Sequence, residues 1–292
     1  MEIIVHDTGQ AMLDLLARPV GQRQDALREI LSPLRNPAVP LHEPAVHYGF
    51  SGFREDRDDP RYERAVREML DADVWGRVRE TTAAAWSRLA AAVPGVRRAE
   101  TIHVVIVLGD PDDAYLVENS AGYLGFGGIP GSVMLTMWPT ATSLAKIAYA
   151  AAHEIHHNVR YANVNWDPAT VTVGEHVVAE GLAEAFVREL RGEEAMGPWS
   201  RALDGVELEN AYEKITGAID LAGMEHLTPY VIGDTIAVRT GQKPVGLPDF
   251  AGYAVGLRIV DAHLAATGLT AAESVALPVA EILTNAGVAT TG

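Results

Sequence analysis

The chain of 292 residues reads as an α+β protein, mainly helical, with a small mixed sheet beside the helix that carries its chemistry. Three observations predict this. Several long stretches repeat apolar residues every three or four positions, the period of an amphipathic helix. A few short runs, above all Thr101–Leu108 (TIHVVIVL), are dense in β-branched residues and bounded by turn formers, as strands are. The segment 148–161 reads AYAAAHEIHHNVRY and sets His153, Glu154 and His157 in the spacing H-E-x-x-H within a helical pattern.

Composition narrows the function classes. Apolar residues make up 48% of the chain, which suits a globular core and argues against disorder. A formal net charge of −16 disfavours nucleic acid and anionic membrane surfaces as partners, because no basic patch is evident to neutralise phosphates. Without cysteine, the chain can form neither disulfides nor zinc–thiolate sites, and thiolate catalysis is excluded. The start, MEIIVHDTGQAMLDLL, lacks a basic region followed by an apolar one and does not read as a secretory signal. No apolar run reaches membrane-spanning length; Leu144–Ala152 is interrupted by Lys146. The expectation is a soluble, cytoplasmic protein with no membrane partner.

Taken in order, Glu2–His6 is a short β-like run, and Thr8–Leu16 and Gln22–Leu31 are helical. The prolines at Pro33, Pro37, Pro40 and Pro44 then predict a loop or extended connector. Gly49–Pro60 is a charged loop. From Arg61 to about Ala92 the apolar spacing predicts one long helix, or two joined near Gly76, stopped by Pro94-Gly95. Thr101–Leu108 is a buried strand, and 110–121 a polar loop. The glycines of 122–131 read as a turn-rich lead-in to a strand at Ser132–Trp138, ended by Pro139. Helix resumes from Thr142 through about Arg160, and again over Glu175–Arg191, with Gly192 as its stop. Ala202–Thr216, Thr228–Arg239 and Tyr253–Thr267 are further helices. Thr270-x-x-Glu273 is a capping box for a last helix, reset at Pro278. The soft boundary at Pro94-Gly95 separates a mostly helical region (1–95) from the region carrying the motif (96–292), with no linker that forces a split.

Residues four apart on a helix lie about 40° out of line, so His153 and His157 can close on one metal ion. Glu154 then stands beside the open coordination position, where a carboxylate can take a proton from an attacking water. A catalytic zinc site needs a third protein ligand. The helix VGEHVVAEGLAEAFVREL offers Glu180 and Glu184 on one face, which also includes His176. A carboxylate in apolar surroundings requires a neutralising partner, and a metal is the obvious one. Glu180 is therefore assigned as third ligand. Glu184 is assigned as acceptor for the second ring nitrogen of a ligand histidine, fixing its tautomer. The remaining histidines, His6, His42, His47, His103 and His263, are scattered, and none is assigned a site. His156 reads as a structural or cleft-wall residue, and Arg160 as a structural partner of a carboxylate.

H-E-x-x-H followed by a helix carrying E-x-x-x-E resembles the gluzincin class of zincin-like metallopeptidases, although Glu184 stands where that pattern usually has Asp. The combination of the glycine-rich lead-in, Pro139-Thr140, AHEIHHNVR, AEGLAEAF and Gly252–Gly256 (GYAVG) resembles the YjaZ-like family of predicted zinc-dependent proteases of unknown function. The resemblance covers roughly 122–283. It implies a zincin-like metallohydrolase domain, a zinc cofactor, or another divalent transition metal in its place, and a peptide substrate. Peptide hydrolysis would use Glu154 as general base and a donor for the developing oxyanion, with Tyr253 the first choice and His226 or Tyr230 as alternatives. It also implies that Ser132–Trp138 is the upper-edge strand on which an extended substrate lies. The alternative is a metal-dependent enzyme acting on a small molecule in a pocket roofed over by the N-terminal region. A non-catalytic metal-stabilised binding protein would have no need of Glu154.

Overall fold

The computed structural model describes residues 1–36 and 39–290; Pro37 of the expected connector lies outside the described residues. The architecture is α+β and mainly helical, with one small mixed sheet. By contacts the chain divides into two compact units, Met1–Ser87 with Arg98–Asn158, and Arg88–Arg97 with Val159–Gly292. The expected boundary near residue 95 falls inside the short segment 88–97.

The first unit begins with β1 (Glu2–Val5), α1 (Thr8–Leu16), α2 (Arg23–Leu31), α3 (Pro44–Gly49), α4 (Pro60–Asp71) and most of α5 (Val74–Ala92). It continues with β2 (Thr101–Leu108), β3 (Tyr123–Ile129), β4 (Ser132–Met137) and most of α6 (Ala141–Asn163). The sheet order is β1-β2-β4-β3. β1 pairs parallel with β2, and β2 with β4, while β3 runs antiparallel to β4. Every residue of β4 is buried, as are Val104–Leu108 of β2, the pattern of strands covered on both faces. α1 is tied to the sheet through Thr8, which accepts from Trp75 Nε1 at 3.0 Å and donates to the Ile106 carbonyl.

Several expectations about this unit are corrected. The glycine-rich 122–131 is not a turn-rich lead-in; most of it is the strand β3. In consequence Ser132–Trp138 is not an edge: β4 is hydrogen-bonded on both sides, and the edge strand beside it is β3. The long helical pattern from Arg61 breaks at Ala72–Asp73, with Asp73 at φ 50°, rather than near Gly76. The proline-rich connector also holds a helix of its own: α3 starts on Pro44, where the missing N–H is no loss.

His47 of α3 organises the turn that follows. Its Nε2 lies 3.0 Å from the Phe53 carbonyl, and its ring occupies the space that a side chain at Gly52 would take. Gly52 and Phe53 in turn pair with the end of β2, through a bridge to Gly109 and a bond from the Phe53 N–H to the Leu108 carbonyl.

The second unit holds the ends of α5 and α6, then α7 (Val173–Arg191), α8 (Gly205–Thr216), α9 (Asp234–Arg239), α10 (Ala251–Thr267) and α11 (Val279–Asn285). α7 and α10 cross almost backbone to backbone. A Cβ on Gly181 would stand 2.2 Å from the Gly256 carbonyl group, and one on Gly256 2.1 Å from the Val177 oxygen. Arg160, fully buried, forks onto Glu175 at 2.7 and 2.9 Å and donates to the Val275 and Leu277 carbonyls. It is the structural ion pair that the sequence predicts. The expected helix Thr228–Arg239 is interrupted by Gly233 at φ 110°, leaving a single wide turn and the short α9. The Thr270–Glu273 capping box forms, with bonds of 2.8 and 3.2 Å, but turns follow it, and regular helix waits until α11 after Pro278. Among the described residues no helix is long and apolar enough to cross a membrane.

Burial lowers the His47 imidazole from 6.5 to about 4, so the folded protein holds it neutral where the unfolded chain binds a proton. The unfolded state therefore binds more protons across that window, and stability falls as pH drops from about 6.5 towards about 4. Urea unfolding at about pH 7.5 and about pH 5 should show the wild type losing about 2 kcal/mol more than His47→Gln. Equal pH slopes in the two proteins would contradict this.

Candidate metal centre

α6 starts cleanly because Thr140 and Ser143 cap it reciprocally. Thr140 N–H donates to Ser143 Oγ at 2.8 Å and Ser143 N–H to Thr140 Oγ1 at 3.0 Å. From Ala150 to Arg160 every residue is buried, although six of the eleven are polar or charged. The helical period sorts four of these into adjacent stripes, His153 with His157 and Glu154 with Asn158.

The first stripe is a donor set. His153, His157 and Glu180 each offer a ligand atom within 4.8 Å of the others, and among the described residues this is the group that could hold a metal ion. The Nε2 atoms of the two histidines face one another at 2.9 Å, with the rings edge to face. Around a tetrahedral zinc, ligand atoms stand about 3.4 Å apart, so small side-chain rotations suffice to seat an ion. Two imidazoles and a carboxylate suit zinc, and such nitrogen and oxygen donors also accept other divalent transition metals. The residues thus fit the group that the sequence resemblance implies.

The second stripe faces the sheet edge. Glu154 is buried beneath β3: a Cβ on Gly125 would lie 2.2 Å from Glu154 Oε1, and one on Gly127 2.4 Å from the Glu154 carbonyl oxygen. The two glycines are alternate residues of one strand and so share a face. They let the strand backbone settle directly on the carboxylate, a reason for glycine that turn propensity hides.

A family profile described as "Predicted Zn-dependent protease (DUF2268)" matches residues 82–284. The chain belongs to this family. The Bacillus subtilis (strain 168) protein YjfC, named only as uncharacterized, is 37% identical over 193 residues, which is 66% of this chain and 64% of YjfC. YjaZ of the same organism, also named uncharacterized, is 30% identical over 127 residues, 43% of this chain and 45% of YjaZ. The chain thus spans less than two thirds of the length of either relative. No solved structure matches it. The family match takes in both glycines of β3, the two stripes of α6 and Glu180.

The other expected site residues lie on α7 and α10. Glu184, one turn beyond Glu180, is buried, and its oxygens accept from the Gly197 N–H at 3.0 Å and Trp199 Nε1 at 2.9 Å. The carboxylate so holds the 197–201 turn, a task that its place in the motif does not reveal. Trp199 stands 6.0 Å from the ring of Tyr253 and 5.9 Å from that of Phe250. Tyr253 is half-buried in the first turn of α10, which opens on Phe250 in the left-handed region at φ 63°. His226 is half-buried beside Glu225 at 3.7 Å, and His176 is buried edge-on to Trp166.

The two glycines of β3 should respond differently to a methyl group. Gly125→Ala meets the Glu154 side chain, which a rotation can displace from beneath the strand, so its urea midpoint should fall less than that of Gly127→Ala. Gly127→Ala meets helix backbone, which no rotation displaces, and should cost about 1–3 kcal/mol. Equal losses in the two variants would contradict the packing described.

Proposed function

We propose that this protein is a zinc-dependent metallopeptidase. His153, His157 and Glu180 would hold the ion, and Glu154 would act as general base. The observation that carries the reading is the donor group of His153, His157 and Glu180 on elements where H-E-x-x-H and the later glutamate put it, in a chain of this family. A zinc ion bound there supplies Lewis acidity, which lowers the pKa of water towards about 7 and polarises a carbonyl. Glu154 takes the proton from the attacking water and returns it to the leaving amine; water remains the nucleophile. Burial beneath β3 restricts bulk water around this carboxylate and fixes its direction. Tyr253 is assigned as donor to the tetrahedral oxyanion, its ring braced by Trp199 and Phe250.

The substrate would lie along β3 rather than β4. β3 is an edge strand, and an edge offers unpaired N–H and C=O groups to an extended peptide. Gly125 at the centre of that strand lies against Glu154, which brings the reacting group next to the backbone a paired peptide would occupy.

The test is metal analysis joined to cleavage of a peptide library. Wild type should bind zinc stoichiometrically and cut peptides. Glu154→Gln should keep its zinc and lose about 10²–10⁴-fold in rate. His153→Ala and His157→Ala should lose the metal. Stoichiometric zinc with no peptide cut would hand the reading to a small-molecule substrate, and full metal content in both histidine variants would overturn the site itself.

A further inference from the structure

β3 is not a regular strand. Its register against β4 runs from Phe126 opposite Met134 to Ile129 opposite Ser132, so Gly127 and Gly128 together face Val133 alone. Two residues opposite one is a β-bulge, which bends the strand and takes backbone groups out of the ladder. Those groups need partners, because an unmet buried carbonyl is costly. Asn158 meets them. The two hydrogens of its Nδ2 are shared among the carbonyls of Gly127 at 2.9 Å, Ile129 at 3.1 Å and Ser132 at 2.9 Å. Its Oδ1 accepts from the Gly131 N–H at 2.7 Å. One buried carboxamide therefore grips the bulge, the turn and the start of β4 at once.

We propose that Asn158 is a positioning residue, whose carboxamide holds the bulged edge strand at a fixed height over Glu154. The geometry couples the two directly. Asn158 lies one helical turn after Glu154 on the same stripe of α6, so the strand is anchored to the helix that carries the base. Gly127 is common to both contacts: its carbonyl accepts from Asn158, while its Cα faces the Glu154 backbone. A strand freed from Asn158 can lift off, and the carboxylate then loses its roof. The role of Asn158 in catalysis rests on the peptidase reading; its role as a clamp does not.

The experiment compares wild type, Asn158→Ala and Asn158→Ser by amide hydrogen exchange, zinc affinity and peptide cleavage. In Asn158→Ala, exchange over residues 123–132 should rise about tenfold, while 101–108 in β2 keeps its protection. Zinc affinity should stay within about threefold of wild type, since no ligand is touched. Cleavage of an extended peptide should lose about tenfold in kcat/KM, with KM taking most of it. A minimal dipeptide substrate, too short to pair with the strand, should be cut as before. Asn158→Ser, which keeps one donor, should fall between, and decides the matter by the same measurements if Asn158→Ala does not fold. Unchanged exchange over 123–132 would overturn the proposal, as would a uniform rise across the sheet, which marks a residue of general stability only. Should wild type cut no peptide at all, the peptidase reading fails, and the exchange comparison still decides whether Asn158 clamps the strand.

Discussion

The constraint on which this structure depends is the burial of polar side chains along one helix. Ala150 to Arg160 of α6 is covered on every side, yet it contains His153, Glu154, His156, His157, Asn158 and Arg160. Each such group costs several kcal/mol unless something satisfies it. Arg160 meets Glu175 and two carbonyls, and Asn158 meets four backbone groups of the β3–β4 hairpin. His153 and His157 turn their ring nitrogens towards each other and, with Glu180, form a group suited to a cation. Neighbouring elements are thus placed by what α6 requires of them.

The same requirement accounts for the glycines. Gly125 and Gly127 stand where any side chain would strike Glu154, while Gly181 and Gly256 let α7 and α10 approach backbone to backbone. Glu184 extends the arrangement by fixing Trp199, whose indole lies against Tyr253 and Phe250. Residues outside the donor group thus set how closely these elements pack.

Much of this was legible in the sequence, and the parts that were not share a cause. On a helix H-E-x-x-H puts its two histidines on one face, so their facing rings could be read from spacing, whereas Glu180 was legible only through the apolar residues around it. Arg160 reads as the partner of a carboxylate, and Glu175 is that partner. β3 was hidden because Gly125, Gly127 and Gly128 signal turns by local propensity, whereas the first two are there for a tertiary contact with Glu154. Without β3, the pattern of β4 reads as an edge. Asn158 gave no signal either, since its partners are backbone carbonyls that exist only once the bulge has formed. α3 was masked by its surrounding prolines, and His47 looked scattered because Gly52 and Phe53, which enclose it, make a turn and not a periodic pattern.

The central claim is that two imidazoles and one carboxylate of this chain hold a single metal ion. X-ray absorption spectroscopy of the zinc-loaded protein tests it most directly. The account predicts two imidazole nitrogens at about 2.0–2.1 Å and oxygen at about 2.0–2.2 Å, with one imidazole lost in His157→Ala. A spectrum showing oxygen ligands alone, or one unchanged by that substitution, would contradict it.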